Sequence, residues 1–372
     1  MRLKSLELWW RRLWIRVLVR LMRRPAGDAS RIPDWSGAPH RVLFLRHDRA
    51  GDMILSTGVM RAIARSHPTI TLDVLASPAN AAILEAADLV GDVIVFDKKR
   101  LASYLPTALR LRRNHYDAVI DCMVTAPSLT TLLLIAASGA RYRVGIVGRG
   151  NDAAFNVTVP PDTSSGAHMV DLLAALAPAF GVDARAVEKQ PVITLTTVER
   201  DRGERAWGGE RGRRVLINIS AGTSARSWAA RNYLAVMEHL RARNPGTVFR
   251  VISSPAEIEK GRDVARGGRG IFVETPSIRD AFALVATADF VFTPDTSIAH
   301  AASAFGVPCV AMYVRGTVER WGLYGTRGAS IEHPQSTLED LTVERMLRAV
   351  DELLDERVEQ TGFGNAALRQ TR

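Results

Sequence analysis

Ionisable side chains crowd the short segment RHDRAGD, residues 46–52, which follows the apolar run RVLFLR at 41–46. A helical pattern begins close to Asp52, where a carboxylate commonly serves only as an N-cap. Gly51, however, allows a tight turn, and the segment lies at the carboxyl end of a predicted strand, where α/β proteins bind their ligands. The density of titratable groups therefore favours a chemical role for Asp52 over capping alone.

A second segment, SAGTSAR at 220–226, follows the apolar run VLINIS. Its hydroxyl groups and exposed backbone amides suit a phosphate, and Arg226 adds positive charge. The alternative is a solvated loop in which Arg226 covers the surface. Trp228, just beyond the loop, is predicted to be a packing residue.

A third segment, FTPDTSIAHAASAF at 292–305, places Asp295 directly after a predicted strand. Thr296 and Ser297 begin a helix of small residues, whose positive end can face an anion. His300 is either a ligand contact or a hydrogen-bonded structural residue, and the pattern leaves both roles open.

The elements that position these segments alternate between short apolar runs and longer helical patterns. Strands are predicted at 41–46, 71–76, 92–96, 117–121, 142–147, 215–220, 248–253, 270–274, 289–293 and 308–313. Helices are predicted at 52–66, 78–88, 101–114, 127–139, 231–243, 257–266, 277–287, 296–305 and 338–356. Strand–helix alternation with nearly continuous apolar strands predicts two α/β domains, each with a parallel, doubly wound sheet, joined through the charged stretch at 199–214.

Together the three segments resemble glycosyltransferase family 9, the heptosyltransferases of lipopolysaccharide core assembly. They are similar to the family's Gly-Asp loop, its Lys-x-Trp loop and its Asp-[Thr/Ser]-Gly-x-x-His helix, and VERWGLYG at 318–325 resembles its Trp-Gly-x-Tyr-Gly element. The resemblance implies a GT-B fold, with two Rossmann-like domains facing across a cleft. It implies an acceptor-binding domain at 41–195 and a nucleotide-sugar-binding domain at 196–357. Around them we expect an N-terminal amphipathic helix at 1–24, a linker at 25–40 and a polar tail at 358–372.

The resemblance also implies roles for individual residues. Asp52 matches the family's catalytic aspartate, and Arg226 stands where the family usually has a diphosphate-binding lysine. Donor binding is expected from Ser220, Gly222, Thr223, Arg226, Asp295, Thr296, Ser297 and His300, and acceptor binding from Arg46 and Arg49. The chain departs from the family pattern at Arg226, at Ser297, where glycine is usual, and at VRGTVERWG, which replaces a Gly-Pro-Thr-[Asp/Glu] loop.

The activity implied by the family is inverting transfer of heptose from ADP-heptose to the Kdo or heptose of an inner-core lipid. Such transfer needs no cofactor and no metal, and the chain contains no Asp-x-Asp pair of the kind that holds a metal in other glycosyltransferases. Three alternatives stay open: a family member with another sugar nucleotide or acceptor, a GT-B-shaped sugar-nucleotide epimerase, and a non-catalytic membrane-tethered binding protein.

The distribution of charge along the chain limits the kinds of binding partner that we expect. The 372 residues carry a net charge of +10, of which residues 1–24 contribute eight Lys or Arg and one Glu, so the rest of the chain is nearly neutral. This distribution argues against nucleic acid. Residues 1–24 form an amphipathic pattern suited to a lipid interface, and we expect a cytoplasmic protein on the inner face of the membrane. The alternatives are a helix docked on its own domain and a transit peptide.

The two cysteines lie in separate apolar runs, with no other Cys or His at metal-ligand spacing. This spacing predicts buried free thiols, and argues against both a disulfide framework and a zinc site.

Overall fold

The computed structural model describes residues 2–22, 34–37, 39–123, 128–148, 150–160 and 168–364. Most of the predicted linker and the last eight residues of the predicted polar tail lie outside these ranges. The chain divides into two compact units, Met1–Lys189 and Gln190–Arg372.

The first unit contains one parallel sheet whose strands are joined by helices. In chain order its elements are α1 (Arg2–Met22), β1 (His40–Arg46), α2 (Ala50–Ser66), β2 (Ile70–Ala76), β3 (Val93–Val95), α3 (Tyr104–Arg113), β4 (Ala118–Asp121), α4 (Leu129–Ser138), β5 (Tyr142–Ile146), β6 (Val157–Val159) and α5 (Met169–Ala174). The strand order is β3-β2-β1-β4-β5-β6. Residues 42–46 of β1 are all buried, because helices cover both faces of a parallel sheet.

The second unit repeats this architecture. Its elements are α6 (Thr197–Ala206), β7 (Arg214–Asn218), α7 (Ala230–Arg243), β8 (Val248–Ile252), α8 (Ile258–Gly267), β9 (Ile271–Phe272), α9 (Ile278–Ala286), β10 (Phe290–Pro294), α10 (Ser297–Phe305), β11 (Cys309–Tyr313), α11 (Val318–Trp321), β12 (Gly328–Glu332) and α12 (Val343–Gly364). The strand order is β12-β11-β10-β7-β8-β9, again with parallel pairing.

Both sheets therefore have the Rossmann strand order, and each has one point where the chain reverses its direction across the sheet. In the first sheet this switch point lies between β1 and β4, with Leu45 paired to Asp121. In the second it lies between β7 and β10, with Ile217 paired to Phe292. Ligands of such sheets bind beyond the carboxyl ends of the strands at these points, so the loops after β1, β4, β7 and β10 are the expected ligand-binding loops.

Helix α1 packs against the first unit through one face. Ile15, Leu18, Val19 and Met22 contact a core cluster formed by the sheet and by α3 and α4. Arg143 of β5 donates a hydrogen bond of 3.0 Å from Nη1 to the carbonyl oxygen of Met22 at the end of the helix. This contact satisfies one of the carbonyl groups that a helix leaves open at its C-terminus. The predicted N-terminal helix is therefore present, and it is docked.

Some predicted elements differ from those observed. The predicted helix at 78–88 is only a 3-10 turn, Ala81–Leu84, followed by Ala86 at a φ of 62°, which a helix cannot accommodate. The stretch at 199–214 is not simply a linker, because it includes most of α6. That helix begins with a capping box between Thr196 and Glu199.

Four further elements were not predicted: β6, α5, α11 and β12. The two strands are short or poor in large apolar residues, VTV and GASIE, so neither gives a recognisable apolar run. In the part of the chain that the structure describes, no helix is both long and apolar enough to cross a membrane. Cys122 and Cys309 are free and buried, which confirms the prediction for both thiols.

Candidate active site

Asp52 lies in the first turn of α2, at the carboxyl end of β1. It is not the N-cap, because α2 begins at Ala50 and the N-cap is Arg49, whose side chain makes no capping hydrogen bond. The Asp52 side chain is 15% exposed, and its Oδ1 lies 3.4 Å from Nη2 of Arg46. The helix dipole also favours a carboxylate in a first turn. The structure thus leaves the Asp52 carboxylate partly open to solvent beside a buried cation.

Arg46, the last residue of β1, is buried, with a side chain only 2% exposed. Its Nε donates to the backbone oxygen of Asp52 at 3.1 Å and lies 3.4 Å from Oδ1 of Asp48. Its Nη1 donates to the carbonyl oxygen of Cys122, just beyond β4. Burial alone would lower the pKa of Arg46, but the carboxylates of Asp48 and Asp52 raise it. The buried Arg46 side chain therefore connects the ends of β1 and β4, the two strands at the switch point of the first sheet.

This position differs from the one the sequence predicts for Arg46, which is an acceptor contact. The guanidinium faces protein groups because two carboxylates and two backbone carbonyls surround it. Arg49, the other predicted acceptor contact, is exposed in the same loop. Of the two arginines, only Arg49 is open to a ligand.

Two more side chains of this loop, the buried His47 and the partly exposed Asp48, have shifted pKa values. Burial raises the pKa of Asp48 to about 6, against the opposing effect of Arg46. Burial lowers the pKa of His47 to about 4, and the charge of Lys98 contributes. The Nε2 of His47 lies 3.2 Å from Oγ1 of Thr131 on α4. His47 is therefore a neutral, packed residue at physiological pH.

Asn80, which was not predicted as a site residue, supports the loop. Its side chain is fully buried, and its Nδ2 donates to the backbone oxygen of Arg46 at 2.9 Å. Its Oδ1 accepts a hydrogen bond of 2.7 Å from the amide of Ser77. The only sequence signal was a turn-like SPAN motif after β2. Asn80 thereby fixes the end of β1, from which Arg46 and Asp52 are positioned.

At the switch point of the second sheet, Asn218 joins the loops after β7 and β10. It is buried, and its Nδ2 donates to Oγ1 of Thr293 at 2.9 Å and to Oγ1 of Thr296 at 3.1 Å. Its Oδ1 accepts a hydrogen bond of 3.1 Å from the amide of Ser220. Asn218 was not predicted as a site residue, and the signal was a single amide side chain within an apolar strand. It brings the second and third sequence segments together.

Arg226 and Asp295 form the charged centre of this site. Nη2 of Arg226 lies 3.0 Å from Oδ2 of Asp295, and Nη1 donates to the backbone oxygen of Asp295 at 3.1 Å. The Arg226 side chain is 23% exposed and that of Asp295 is 6% exposed. Buried Tyr313 of β11 is close enough for Asp295 to contribute to a raised pKa of its hydroxyl, of which burial is the main cause. The buried carboxylate thus holds a partly exposed guanidinium at the carboxyl end of the sheet.

The loop between β7 and α7 keeps most of its predicted site residues accessible. Gly222 has a φ of 67°, which favours glycine, and both Gly222 and Thr223 are exposed. The amide of Ala221 donates to Oε2 of Glu257 at 3.2 Å, so one amide of this loop already has a carboxylate partner. Trp228 is buried and donates from Nε1 to the backbone oxygen of Leu341 at 2.8 Å, which confirms it as a packing residue.

Helix α10 begins at the same place. Thr296 is its N-cap and accepts a hydrogen bond from the amide of Ile298 through Oγ1 at 3.3 Å. Ser297 is the first helical residue and is partly exposed, whereas His300, one turn later, is buried. The positive end of α10 therefore lies beside Arg226 and Asp295. Of the predicted donor residues, His300 is set back into the protein.

Among the described residues, no group of three or more His, Cys, Asp and Glu side chains could hold a metal ion. The two sites contain carboxylates, guanidinium groups, hydroxyls and backbone amides.

The sequence profile of the family described as glycosyltransferase family 9 (heptosyltransferase) matches residues 107–348. The match includes the loops after β7 and β10, whereas Asp52 and its loop precede it. A search of curated proteins finds no match to this chain.

Several solved structures resemble the whole fold. A glycosyltransferase family 9 protein from Veillonella parvula superposes with a TM-score of 0.71 at 16% identity, covering 88% of this chain and 100% of that one. The ADP-heptose lipopolysaccharide heptosyltransferase II of E. coli gives a TM-score of 0.67 at 20% identity, with 85% and 99% covered. The E. coli heptosyltransferase WaaC, solved with ADP-2-deoxy-2-fluoro heptose, gives 0.67 at 19% identity, with 85% and 99% covered. At these identities the likeness establishes the GT-B fold.

Proposed function

The chain belongs to glycosyltransferase family 9, and from that premise we propose that it transfers a heptose from ADP-heptose, with inversion, to an inner-core lipopolysaccharide acceptor. Membership of the family makes it a glycosyltransferase. The observation that carries the finer proposal is the pair of switch points, one with a carboxylate beside a buried cation and the other with a guanidinium beside a helix N-terminus.

Asp52 is proposed as the general base. It removes the proton from the acceptor hydroxyl as that oxygen attacks the anomeric carbon, and the bond from this carbon to the diphosphate oxygen breaks. Attack from the face opposite the leaving group inverts the configuration. Arg46 is proposed as a positioning residue, because its Nε donates to the Asp52 backbone and its Nη2 faces the carboxylate. This assignment replaces the predicted acceptor contact of Arg46.

The leaving diphosphate requires positive charge, which the second unit supplies. Arg226 offers a partly exposed guanidinium, and the N-terminus of α10 adds the amide dipoles around Thr296 and Ser297. Asp295 holds Arg226 in place through its carboxylate and its backbone oxygen. Ser220, Gly222, Thr223 and His300 stay as proposed donor contacts, with His300 the least accessible of them.

The donor and the acceptor are proposed on two grounds. The printed names of the E. coli proteins with the same fold include ADP-heptose and an ADP-heptose analogue, which supports this donor. An acceptor of this class is an anionic amphiphile at the inner face of the cytoplasmic membrane. The exposed Arg49 is proposed to contact it, and the basic helix at 1–24 is proposed to hold the protein peripherally on that membrane face.

The proposal is tested by measuring nucleoside diphosphate release from a panel of sugar nucleotides led by ADP-heptose, with and without deacylated Kdo-containing core acceptors. We expect ADP release that depends on the acceptor, and a product whose mass increases by one heptose with inverted anomeric configuration. Release from a different sugar nucleotide would retain the family and overturn the donor. Donor binding without turnover on any acceptor would favour the non-catalytic alternative.

A further inference from the structure

Helix α1 exposes an apolar stripe that its own domain does not cover. Trp10, Trp14, Val17 and Leu21 follow one another at steps of four, three and four residues and therefore lie on one face. Their exposed fractions are 47%, 53%, 37% and 77%. The residues through which α1 docks lie on a different face. Docking thus buries one face of this helix and leaves Trp10 and Trp14 about half exposed on another.

Helix α3 and the turn before it carry a second stripe of the same kind. Leu101, Leu105 and Leu109 are spaced by four residues and are 86%, 68% and 47% exposed. The buried side chains of α3, Thr107 and Leu111, are on the opposite side of the helix. The exposed leucines are therefore not accounted for by packing within the first unit.

Helix α4 connects the two stripes, because it packs against both α1 and α3. Its own Leu133 is 44% exposed. The guanidinium of Arg112 on α3 lies against Gly139, the residue that follows α4. Helix α2 packs instead against α5. Eight of the eleven large apolar side chains that are exposed in the described part of the chain belong to α1, α4, α3 and its preceding turn.

The charge on these helices is almost entirely positive, and Glu7 is the single acidic residue of α1, α3 and α4. Arg16 and Arg20 are exposed on α1, and Arg112 and Arg113 on α3. Residues 10–22, 104–113 and 129–138 contain no Asp or Glu. Tryptophan and leucine beside arginine suit the interface of an anionic bilayer, where rings lie at headgroup depth and cations meet lipid phosphates. A second copy of the chain would instead bring arginines against arginines across a two-fold axis.

We propose that the exposed apolar and arginine side chains of α1, α3 and α4 form one lipid-docking face for an anionic membrane. The lipid-docking face is broader than the helical anchor at 1–24, since it also includes α3, a helix that connects two strands of the first sheet. Contact through two helices restrains the orientation of the first unit on the bilayer more tightly than contact through α1 alone. This inference does not depend on the sugar transferred.

The test compares vesicle binding of the full chain and of Leu105→Ser/Leu109→Ser, using phosphatidylcholine vesicles with and without phosphatidylglycerol. The wild type should bind the vesicles that contain phosphatidylglycerol and bind pure phosphatidylcholine weakly. The double variant should bind the anionic vesicles roughly tenfold more weakly, since it removes two inserted leucines. The matched control is Val198→Ser/Ile271→Ser, which removes two exposed aliphatic side chains from the second unit and should bind as the wild type does.

Circular dichroism melting checks that the variants fold, and light scattering reports their mass. Equal vesicle binding by the wild type and Leu105→Ser/Leu109→Ser would overturn the lipid-docking face and leave α1 as the sole anchor. A wild-type dimer that the same variant converts to a monomer would overturn it in favour of a second copy.

Transfer to a soluble, deacylated acceptor separates this inference from the proposed reaction. The α3 variant should retain that transfer while it loses vesicle binding. Lost transfer with unchanged vesicle binding would assign Leu105 and Leu109 to the acceptor and overturn the lipid assignment. A wild type that binds anionic vesicles through α3 but transfers no sugar would retain the lipid-docking face and refute the proposed function.

Discussion

At the scale of single residues, a buried arginine stands between two carboxylates at the end of β1. Arg46 contacts Asp48 and Asp52 at 3.4 Å each, and it is anchored by the backbone oxygens of Asp52 in α2 and of Cys122 after β4. A cation held in this way keeps the Asp52 carboxylate in one orientation at little entropic cost, because its own side chain is already packed. The pKa of Asp48, raised to about 6, means that one of the two carboxylates becomes neutral in mildly acidic solution.

Arg46→Gln removes the buried cation and tests its positioning role. We expect kcat to fall by roughly tenfold to a hundredfold and the acid limb of the pH–rate profile to move to higher pH, because Arg46 no longer opposes the raised pKa of the neighbouring Asp48. Steady-state kinetics across the acid range measure both effects. The control is Arg49→Gln in the same loop, which should raise the acceptor KM without moving the profile. A profile unchanged in Arg46→Gln would remove Arg46 from this role.

Arg226→Gln tests the donor site in the second unit. A hydrogen bond from a charged group contributes about 1.5–3 kcal/mol, so ADP should bind roughly ten to a hundred times more weakly. Calorimetric titration with ADP gives the dissociation constant directly. Arg211→Gln is the matched control, since Arg211 is exposed and precedes β7 at the opposite end of the strand. Equal ADP affinity in Arg226→Gln and the wild type would contradict the assignment.

At the scale of elements, α6 is a polar helix without a recognisable apolar pattern, and side-chain pairs stabilise it. Glu199 closes the capping box with Thr196 and also binds Arg279 of α9, whose Nη2 lies 2.5 Å from Oε2. Arg279 and the cap together lower the pKa of Glu199 to about 2. Stability from this group is therefore present above its ordinary value of 4.5 and is lost as the pH falls towards 2.

Glu199→Gln should lower the free energy of unfolding by about 2 kcal/mol at neutral pH, and the difference from the wild type should vanish near pH 2. Urea unfolding at several pH values measures it. Glu204→Gln on the same helix breaks an exposed pair with Arg214 and should cost less than about 0.5 kcal/mol. If both variants lost the same stability, the capping box would not be the element that fixes α6.

Sequence patterns predicted the elements with long apolar runs and missed those defined by partners. Strands such as β1 and β10 are largely continuous apolar segments. Their burial can therefore be predicted from their own residues, without knowing which elements pack against them. By contrast, the polar helix α6 depends on contacts made some 80 residues away, at Arg279. Strand β12 contains GASIE and owes its place to pairing with β11. Such elements cannot be recognised before their partners are placed.

The residues of the candidate site show the same difference between features predictable from apolar runs and features that depend on contact partners. The three loops were located because strand ends in α/β proteins are predictable from apolar runs. Burial within those loops was not predictable, and for this reason Arg46 was expected to face the acceptor when it in fact faces Asp48 and Asp52. Asn80 and Asn218 were not predicted, because a single asparagine in a sequence does not show which backbone or hydroxyl groups its side chain will bind.

At the scale of the whole molecule, the two units carry different parts of the proposed reaction. The first holds the proposed base and the proposed lipid-docking face, and the second holds the proposed diphosphate site. This division predicts that substitutions in the first unit change turnover without changing ADP affinity, whereas substitutions in the second change ADP affinity first. Arg46→Gln and Arg226→Gln, measured by both assays, provide the comparison.

The most direct measurement is acceptor-dependent ADP release from ADP-heptose by the wild type and by Asp52→Asn, with the ADP dissociation constant of each determined in parallel. Loss of a positioned base costs about 10²–10⁴-fold. We therefore expect release that requires the acceptor, a decrease of that size in Asp52→Asn, and equal ADP affinity in the two proteins. Release at the wild-type rate from Asp52→Asn would contradict this expectation.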